Sequence, residues 1–263
     1  MIDDVHVRGD ADPRVWFDEH YRDAADQVLR FLGEDGISLR RKRVADVGCG
    51  DGIIDLGLAV KGKPAKLVGY DLHQTDVDAL GRAATAAGVC EALPKCLSFT
   101  TSEPDRIPCP NAQYDIVVTW SVFEHVSYPV RMLAEIRRIL KPDGILFLQL
   151  WPFFYSEHGG HLWPHFDEPF PHLLRGDAEI REAIRGKRPT DVSRSDAVEE
   201  YDSLNRITLD QLHTALLAAG LLVTKLEVLS TAVHVPREIA HLPLSLIGTS
   251  GVKLLAAQAA GAV

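Results

Sequence analysis

The 263-residue chain has only four cysteines, Cys49, Cys90, Cys96 and Cys109, and no two of them stand in a C-x-x-C spacing. That is too few to staple a domain of this size, and a reducing compartment is the expected setting. Nowhere do about 18 uncharged apolar residues follow one another, so no membrane-spanning helix and no membrane partner are expected. Positive charge is in deficit: 28 Lys and Arg against 37 Asp and Glu leave a net charge of −9. This argues against nucleic acid as a partner, because wholesale binding to a phosphate backbone needs the opposite sign. The N-terminal Met-Ile-Asp-Asp-Val-His has no basic segment leading into an apolar run, so no secretion signal is expected and the cytoplasm is the expected location. Internal repeats and low-complexity tracts are missing as well.

What remains is ordinary for a globular protein, with 46% apolar and 25% charged residues. The length suits one large α/β domain carrying an insertion. Its most informative stretch is Val44-Ala-Asp-Val-Gly-Cys-Gly-Asp-Gly52. Val44, Ala45 and Val47 read as the end of a buried strand, and Ile53 to Val60 reads as a helix. A strand that feeds a glycine-rich turn into a helix makes a nucleotide-binding corner. The glycines allow backbone N–H groups to approach a ligand, and the helix N-terminus adds partial positive charge. After Gly48 and Gly50 the third glycine falls at Gly52, one residue too early for the dinucleotide fingerprint G-x-G-x-x-G. Cys49 reads as a small spacer in this turn.

A second apolar strand, Lys66-Leu-Val-Gly-Tyr-Asp71, ends in a carboxylate 19 residues past Gly52. A carboxylate at that point of a nucleotide-binding sheet accepts hydrogen bonds from both ribose hydroxyls. With these elements, Asp46-x-Gly48-x-Gly50-x-Gly52 resembles the first motif of class I S-adenosylmethionine (SAM) methyltransferases. The stretch Glu103-Pro-Asp-Arg-Ile-Pro-Cys-Pro-Asn-Ala-Gln-Tyr-Asp115 resembles the same family's D-A-x-x-L-P-F-P-x-x-x-F-D segment, and Ser121-Val-Phe-Glu-His-Val126 its loop after the fourth strand. The resemblance covers about residues 40 to 151.

The resemblance implies SAM as cofactor, S-adenosylhomocysteine as its product, and a small-molecule acceptor. It implies cofactor-binding roles for Asp46, Gly48, Cys49, Gly50, Gly52, Asp71, Leu72, Glu103 and Trp120. Glu103 takes the position that faces the adenine, with Asp105 as its rival. The implied fold is α/β: a Rossmann-like seven-stranded class I methyltransferase sheet with helices on both faces and an insertion after strand five. The expected divisions are an N-terminal helical cap (1–39), a SAM-binding core (40–151), an acceptor-binding insertion (152–206) and the C-terminal part of the same sheet (207–263).

Element by element, the periodicity predicts an amphipathic helix over 13–33, whose Trp16 or Tyr21 touches the cofactor if the family habit holds. Further helices are expected at 75–87, 129–140, near 178–184 and at 208–219, the last with Thr208 as N-cap. Strands are expected at 97–100, 115–120, 145–150, 221–230 and 251–257, with the last antiparallel as in the family. Lys141-Pro-Asp-Gly144 reads as a turn, and Gly186 to Pro189 as a mobile stretch within the charged segment 175–206. Arg237 is placed to meet an anionic acceptor.

After strand five comes a run from Trp151 to His172 that holds four of the chain's 11 histidines, two tryptophans and four phenylalanines, with prolines among them. Such a run reads as an ordered loop, and in this fold it walls the acceptor pocket. Three readings apply to its histidines. His158 or His161 is a general base that takes the acceptor's proton as the methyl transfers. Alternatively Glu157, His158, His161 and Asp167 ligate a divalent metal, a reading weakened by the lack of an H-E-x-x-H frame. Or they bond loop backbone and serve structure. His125, in the loop after strand four, is a further catalytic candidate. Because Thr119-Trp-Ser-Val stands where an Asn-Pro-Pro-Tyr amide-binding motif would be, O-methylation is expected. A saccharide suits the aromatic walls, with nitrogen or carbon transfer to a lipid or quinone as the alternative, or SAM binding without catalysis.

Overall fold

A computed structural model describes residues 13–162, 165–186 and 197–259. Seven strands form one sheet in the order β3-β2-β1-β4-β5-β7-β6. They are β1 (Arg43–Val47), β2 (Lys66–Asp71), β3 (Leu97–Thr101), β4 (Tyr114–Trp120), β5 (Leu140–Leu150), β6 (Leu221–Leu229) and β7 (Gly251–Gln258). The first five are parallel, and β7 runs antiparallel to both β5 and β6. Strand order reverses at β1 and β4, the switch point outside which open α/β sheets bind ligands.

Successive strand residues point to opposite faces, and the register sorts them accordingly. Ala45 lies level with Val68 and with Val117, and Val117 with Leu146. All four sit in the core that α5 (Pro129–Ile139) and α9 (Leu209–Ala218) close with Leu133, Ile136, Leu212 and Leu216. Their neighbours Val44, Leu67 and Ile116 face the other way, onto Val28, Phe31 and Leu32 of α2 (Ala25–Gly33) and Leu58 of α3 (Ile53–Gly62). Thr208 caps α9 in a full capping box with Gln211.

Two elements differ from the sequence reading. The expected helix over 13–33 is α1 (Pro13–Asp18), a π-helical stretch at Glu19–Ala24, and α2. The carbonyls of Tyr21 and Arg22 in this stretch accept from Lys61 Nζ at 2.8 and 3.3 Å. Gly57 admits the backbone at Tyr21, where a side chain would collide with its carbonyl. The expected turn at Lys141–Gly144 lies inside β5, which starts at Leu140. Leu140 pairs with Tyr114 across a register shift, and Lys141 Nζ bonds Asp115 Oδ1 at 2.8 Å, so the segment is drawn onto β4.

Between β5 and α9 the chain builds α6 (Pro171–Leu174), α7 (Asp177–Gly186) and α8 (Ala197–Ser203). They share a separate apolar cluster of Phe154, Leu162, Ile180, Ile184, Val198, Tyr201 and Leu204. After β6, Ile239 and Ile247 pack on Phe170 and so close this layer from the far side. Residues 1–12 of the expected cap, Trp163 and Pro164 of the aromatic loop, and the expected mobile residues Lys187 to Pro189 lie outside the described residues. Among the described residues no helix is long and apolar enough to cross a membrane.

Candidate active site

The glycine corner forms at the end of β1. Gly48, Gly50 and Gly52 all take positive φ, at +84°, +52° and +77°. At Gly48 a β-carbon would run into the methyls of Val122, and at Gly52 into the ring of Phe99. Glycine is required here both by the left-handed backbone and by the close approach. Cys49 is buried with its sulfur 3.6 Å from Thr75 Oγ1, and burial pushes its thiol upward, which keeps it protonated and inert. Asp71 ends β2 and binds across to the loop: Gly50 N–H donates to Oδ2 at 2.9 Å and His73 N–H to Oδ1 at 3.1 Å. The N-terminal helix also reaches this loop, through Trp16 Nε1–H donating to Asp51 Oδ2 at 2.8 Å.

Below the glycines lies a pair of carboxylates of which the sequence reading named only Asp46. Asp46 from β1 and Asp55 from the first turn of α3 are both enclosed, at 2% and 0% exposure. Asp46 Oδ1 and both carboxylate oxygens of Asp55 have no well-formed hydrogen bond. Burial first, then the charge of Asp71, pushes Asp46 up to about 7. Asp55 is held well above the usual carboxylate range by burial and by Asp46 beside it. The pair therefore holds protons near neutral pH. The sequence signal was available: Asp55 is the lone carboxylate in the otherwise apolar opening of α3, Ile53 to Val60.

Around the rim, Leu72 follows Asp71 and is 54% exposed, an apolar side chain on open surface. Glu103 is exposed and bonds through its backbone to Arg106. Its neighbour Asp105 is paired with Arg131 at 3.0 Å. Trp120 is 6% exposed and its ring stacks on Phe147 in the core under α2.

The loop after β4 starts with Ser121 at φ +49°, with Gln149 Nε2–H donating to its Oγ at 3.0 Å. Val122 packs on the glycine corner, and Phe123–His125 forms a 3-10 turn. Asn205 pins that turn: its side-chain amide donates to the carbonyls of Phe123 (2.7 Å) and Val126 (2.9 Å), and its backbone N–H donates to the Glu124 carbonyl (2.8 Å). This brings together two candidates distant in sequence. The rings of His125 and His161 meet edge to face at 5.1 Å between centroids. His125 Nδ1 lies 2.7 Å from Ser203 Oγ, and His161 Nδ1 lies 3.1 Å from Glu200 Oε1. Ser203 Oγ–H donates to the Glu200 carbonyl, so its oxygen accepts from His125 Nδ1–H, which fixes that tautomer. Burial, then the neighbouring His161, lowers His125 to about 4. Glu124 is buried and pushed well above its usual range by that burial.

His158 is not part of this cluster. It lines a cavity of about 290 Å³ with Glu157, Asp167, Glu168, Phe166 and His172. His172 Nε2–H donates to the Phe154 carbonyl at 2.5 Å, and burial lowers it to about 4, the structural kind of histidine. Glu200, Ser203 and Asn205 were not singled out from sequence, because they sit in the charged segment 175–206, where the only helix read was the short one near 178–184.

Comparison with known proteins places the fold. Residues 17–226 match the methyltransferase domain family. Among curated proteins, the ubiquinone biosynthesis O-methyltransferase of Marinobacter nauticus is 28% identical over 168 residues, 57% of this chain and 68% of that protein. Its counterpart in Haemophilus ducreyi is 32% identical over 110 residues, 41% of this chain and 44% of that protein. The chain thus spans about two thirds of the first of these relatives and less than half of the second. Among solved structures, a putative methyltransferase from Bacillus halodurans aligns with a TM-score of 0.55 at 14% identity, over 88% of this chain and 98% of that one. The [4+2]-cyclase SpnF aligns with a TM-score of 0.56 at 20% identity, over 91% and 83%. The corner fits a cationic cofactor: Asp46, Asp51, Asp55 and Asp71 surround the glycine loop, and among the described residues no Lys or Arg is paired with any of them. With the family matched over most of its length, the chain belongs to the methyltransferase domain family and is a SAM-dependent methyltransferase.

Proposed function

We propose that the protein transfers the SAM methyl group to a hydroxyl of a small acceptor. The observation that carries this reading is the meeting of His125 and His161, each with Nδ1 engaged by α8, on the loop that packs against the glycine corner. Bound SAM supplies a methyl on a positively charged sulfur. The protein's part is to hold the two reactants in line, worth about 7–11 kcal/mol, and to receive a hydroxyl proton, worth about 10²–10⁴-fold in rate. Gly48, Gly50, Gly52, Cys49 and Asp46 shape the cofactor seat. Asp71 holds the ribose, Leu72 lies under the adenine, Glu103 faces its amino group, and Trp120 supports the seat from the core.

The His125–His161 pair is the place where the acceptor hydroxyl is received and loses its proton, and His158 stands at the neighbouring cavity. The likeness to proteins named for ubiquinone biosynthesis favours a phenol-like or quinol-like ring hydroxyl over a saccharide. The insertion, residues 152–206, is the acceptor-binding part. Incubation with SAM and separate pools of phenols, quinols, saccharides and carboxylic acids, read by mass spectrometry, tests this. An O-methylated phenol or quinol is expected. A product methylated only in the saccharide pool would move the acceptor class, and N- or C-methylation would overturn the reading.

A further inference from the structure

Glu124, His125 and His161 each offer one ligand atom, and these atoms all lie within 4.8 Å of one another. Glu124 is 3% exposed, and neither of its carboxylate oxygens has a hydrogen-bond partner outside its own residue. A buried carboxylate without a partner is costly, and proteins that keep one give it a counter-charge or a metal. We propose that Glu124, His125 and His161 form a binding site for a divalent first-row transition-metal ion, with Glu200 and Ser203 as its outer shell.

The outer shell is the second, independent observation. A metal-bound histidine characteristically uses its other ring nitrogen to donate to a carboxylate, a hydroxyl or a carbonyl, which fixes tautomer and ring orientation. Both histidines here are held in this way from one helix, α8: His161 by the Glu200 carboxylate and His125 by Ser203, which is itself oriented by the Glu200 carbonyl. Asn205 fixes the turn that carries Glu124 and His125 with three hydrogen bonds, so two of the three ligands sit on a braced backbone. Two imidazoles and one carboxylate suit Zn²⁺, Mn²⁺, Fe²⁺ or Co²⁺, and three protein ligands leave coordination positions open. An open position would take an acceptor oxygen and lower its pKa, so that with the metal bound the hydroxyl proton would leave to solvent rather than to either imidazole, whose two nitrogens are then both engaged. That role in turnover rests on the O-methylation reading, whereas metal binding does not.

The test uses the full chain stripped with a chelator and exchanged into metal-free buffer. Mn²⁺ alone is titrated and followed by loss of the free-ion EPR signal, then displaced with Zn²⁺, with SAM affinity measured by calorimetry on every variant as the check of folding. One Mn²⁺ per chain is expected, displaced by Zn²⁺. The isosteric Glu124→Gln and His161→Ala should weaken it by tenfold or more, and Glu200→Gln, outside the ligand set, by about 10–100-fold. SAM affinity should stay within twofold throughout. No binding of either ion at millimolar concentration by the unmodified chain overturns the proposal, as does binding that Glu124→Gln and His161→Ala leave unchanged. If no acceptor is ever methylated while Mn²⁺ binds and the variants lose it, the site stands and the O-methylation reading falls.

Discussion

Trp16 Nε1–H donates to Asp51 Oδ2 at 2.8 Å, so the first helix is fastened to the glycine loop across 35 residues of sequence. The contact is on the surface, with Trp16 39% exposed, which limits its worth to about 1 kcal/mol. Trp16→Phe keeps the ring and deletes the donor. It should raise the SAM dissociation rate about fivefold by stopped-flow fluorescence and leave the melting temperature nearly unchanged. An unchanged rate would show that the helix does not gate the cofactor.

The Asp46–Asp55 pair makes both stability and cofactor binding depend on pH. Asp46 titrates at about 7 in the folded chain, well above the ordinary 3.8. A carboxyl with a raised folded pKa contributes stability that is present below about pH 4 and lost as pH rises through about 7. The cofactor-free protein should therefore melt at a lower temperature at pH 8 than at pH 6, and Asp55→Asn should flatten that difference. SAM brings positive charge to the ionised pair, so its binding should release protons near pH 7. Calorimetry in buffers of different ionisation enthalpy measures the number, and zero protons released would contradict the pairing.

Asp71 accepts from both Gly50 N–H and His73 N–H, so it serves the loop in addition to the ribose role proposed for it. Asp71→Ala should weaken SAM by about 1.5–3 kcal/mol, the range for a hydrogen bond to a charged group. Asp71→Asn keeps one acceptor oxygen and should lose less. Equal affinity of all three proteins in calorimetry would remove Asp71 from the cofactor site.

Gly48 and Val122 are in contact between the glycine corner and the loop after β4. Gly48→Ala combines a left-handed backbone with overpacking and should cost about 2–4 kcal/mol of stability in urea melts. Adding Val122→Ala removes the clash and should restore part of that loss. Strict additivity of the two changes would mean that the contact is not the cause.

The parts that the sequence exposed were those written in local periodicity and spacing. Parallel strands buried on both faces, such as Ile116 to Val118, read as apolar runs, and the glycine corner shows itself because positive φ and close approach leave glycine as the residue that fits. The π-helical turn at Glu19–Ala24 was hidden, because its side-chain partner Lys61, which donates to the Tyr21 and Arg22 carbonyls, lies about 40 residues away. His125 and His161 were both legible as candidates, but their meeting was not, since it depends on how the insertion folds back on β4. Glu200, Ser203 and Asn205 were invisible for the same reason: long-range partners leave no spacing to read.

The most direct measurement is methyl transfer itself: the metal-replete protein, SAM and the four acceptor pools, with the site of the added methyl located by fragmentation. O-methylation of a phenol-like or quinol-like hydroxyl, abolished in the His125→Ala/His161→Ala double variant while SAM still binds, is the expected result. SAM bound with no acceptor methylated, or full turnover by the double variant, would contradict it.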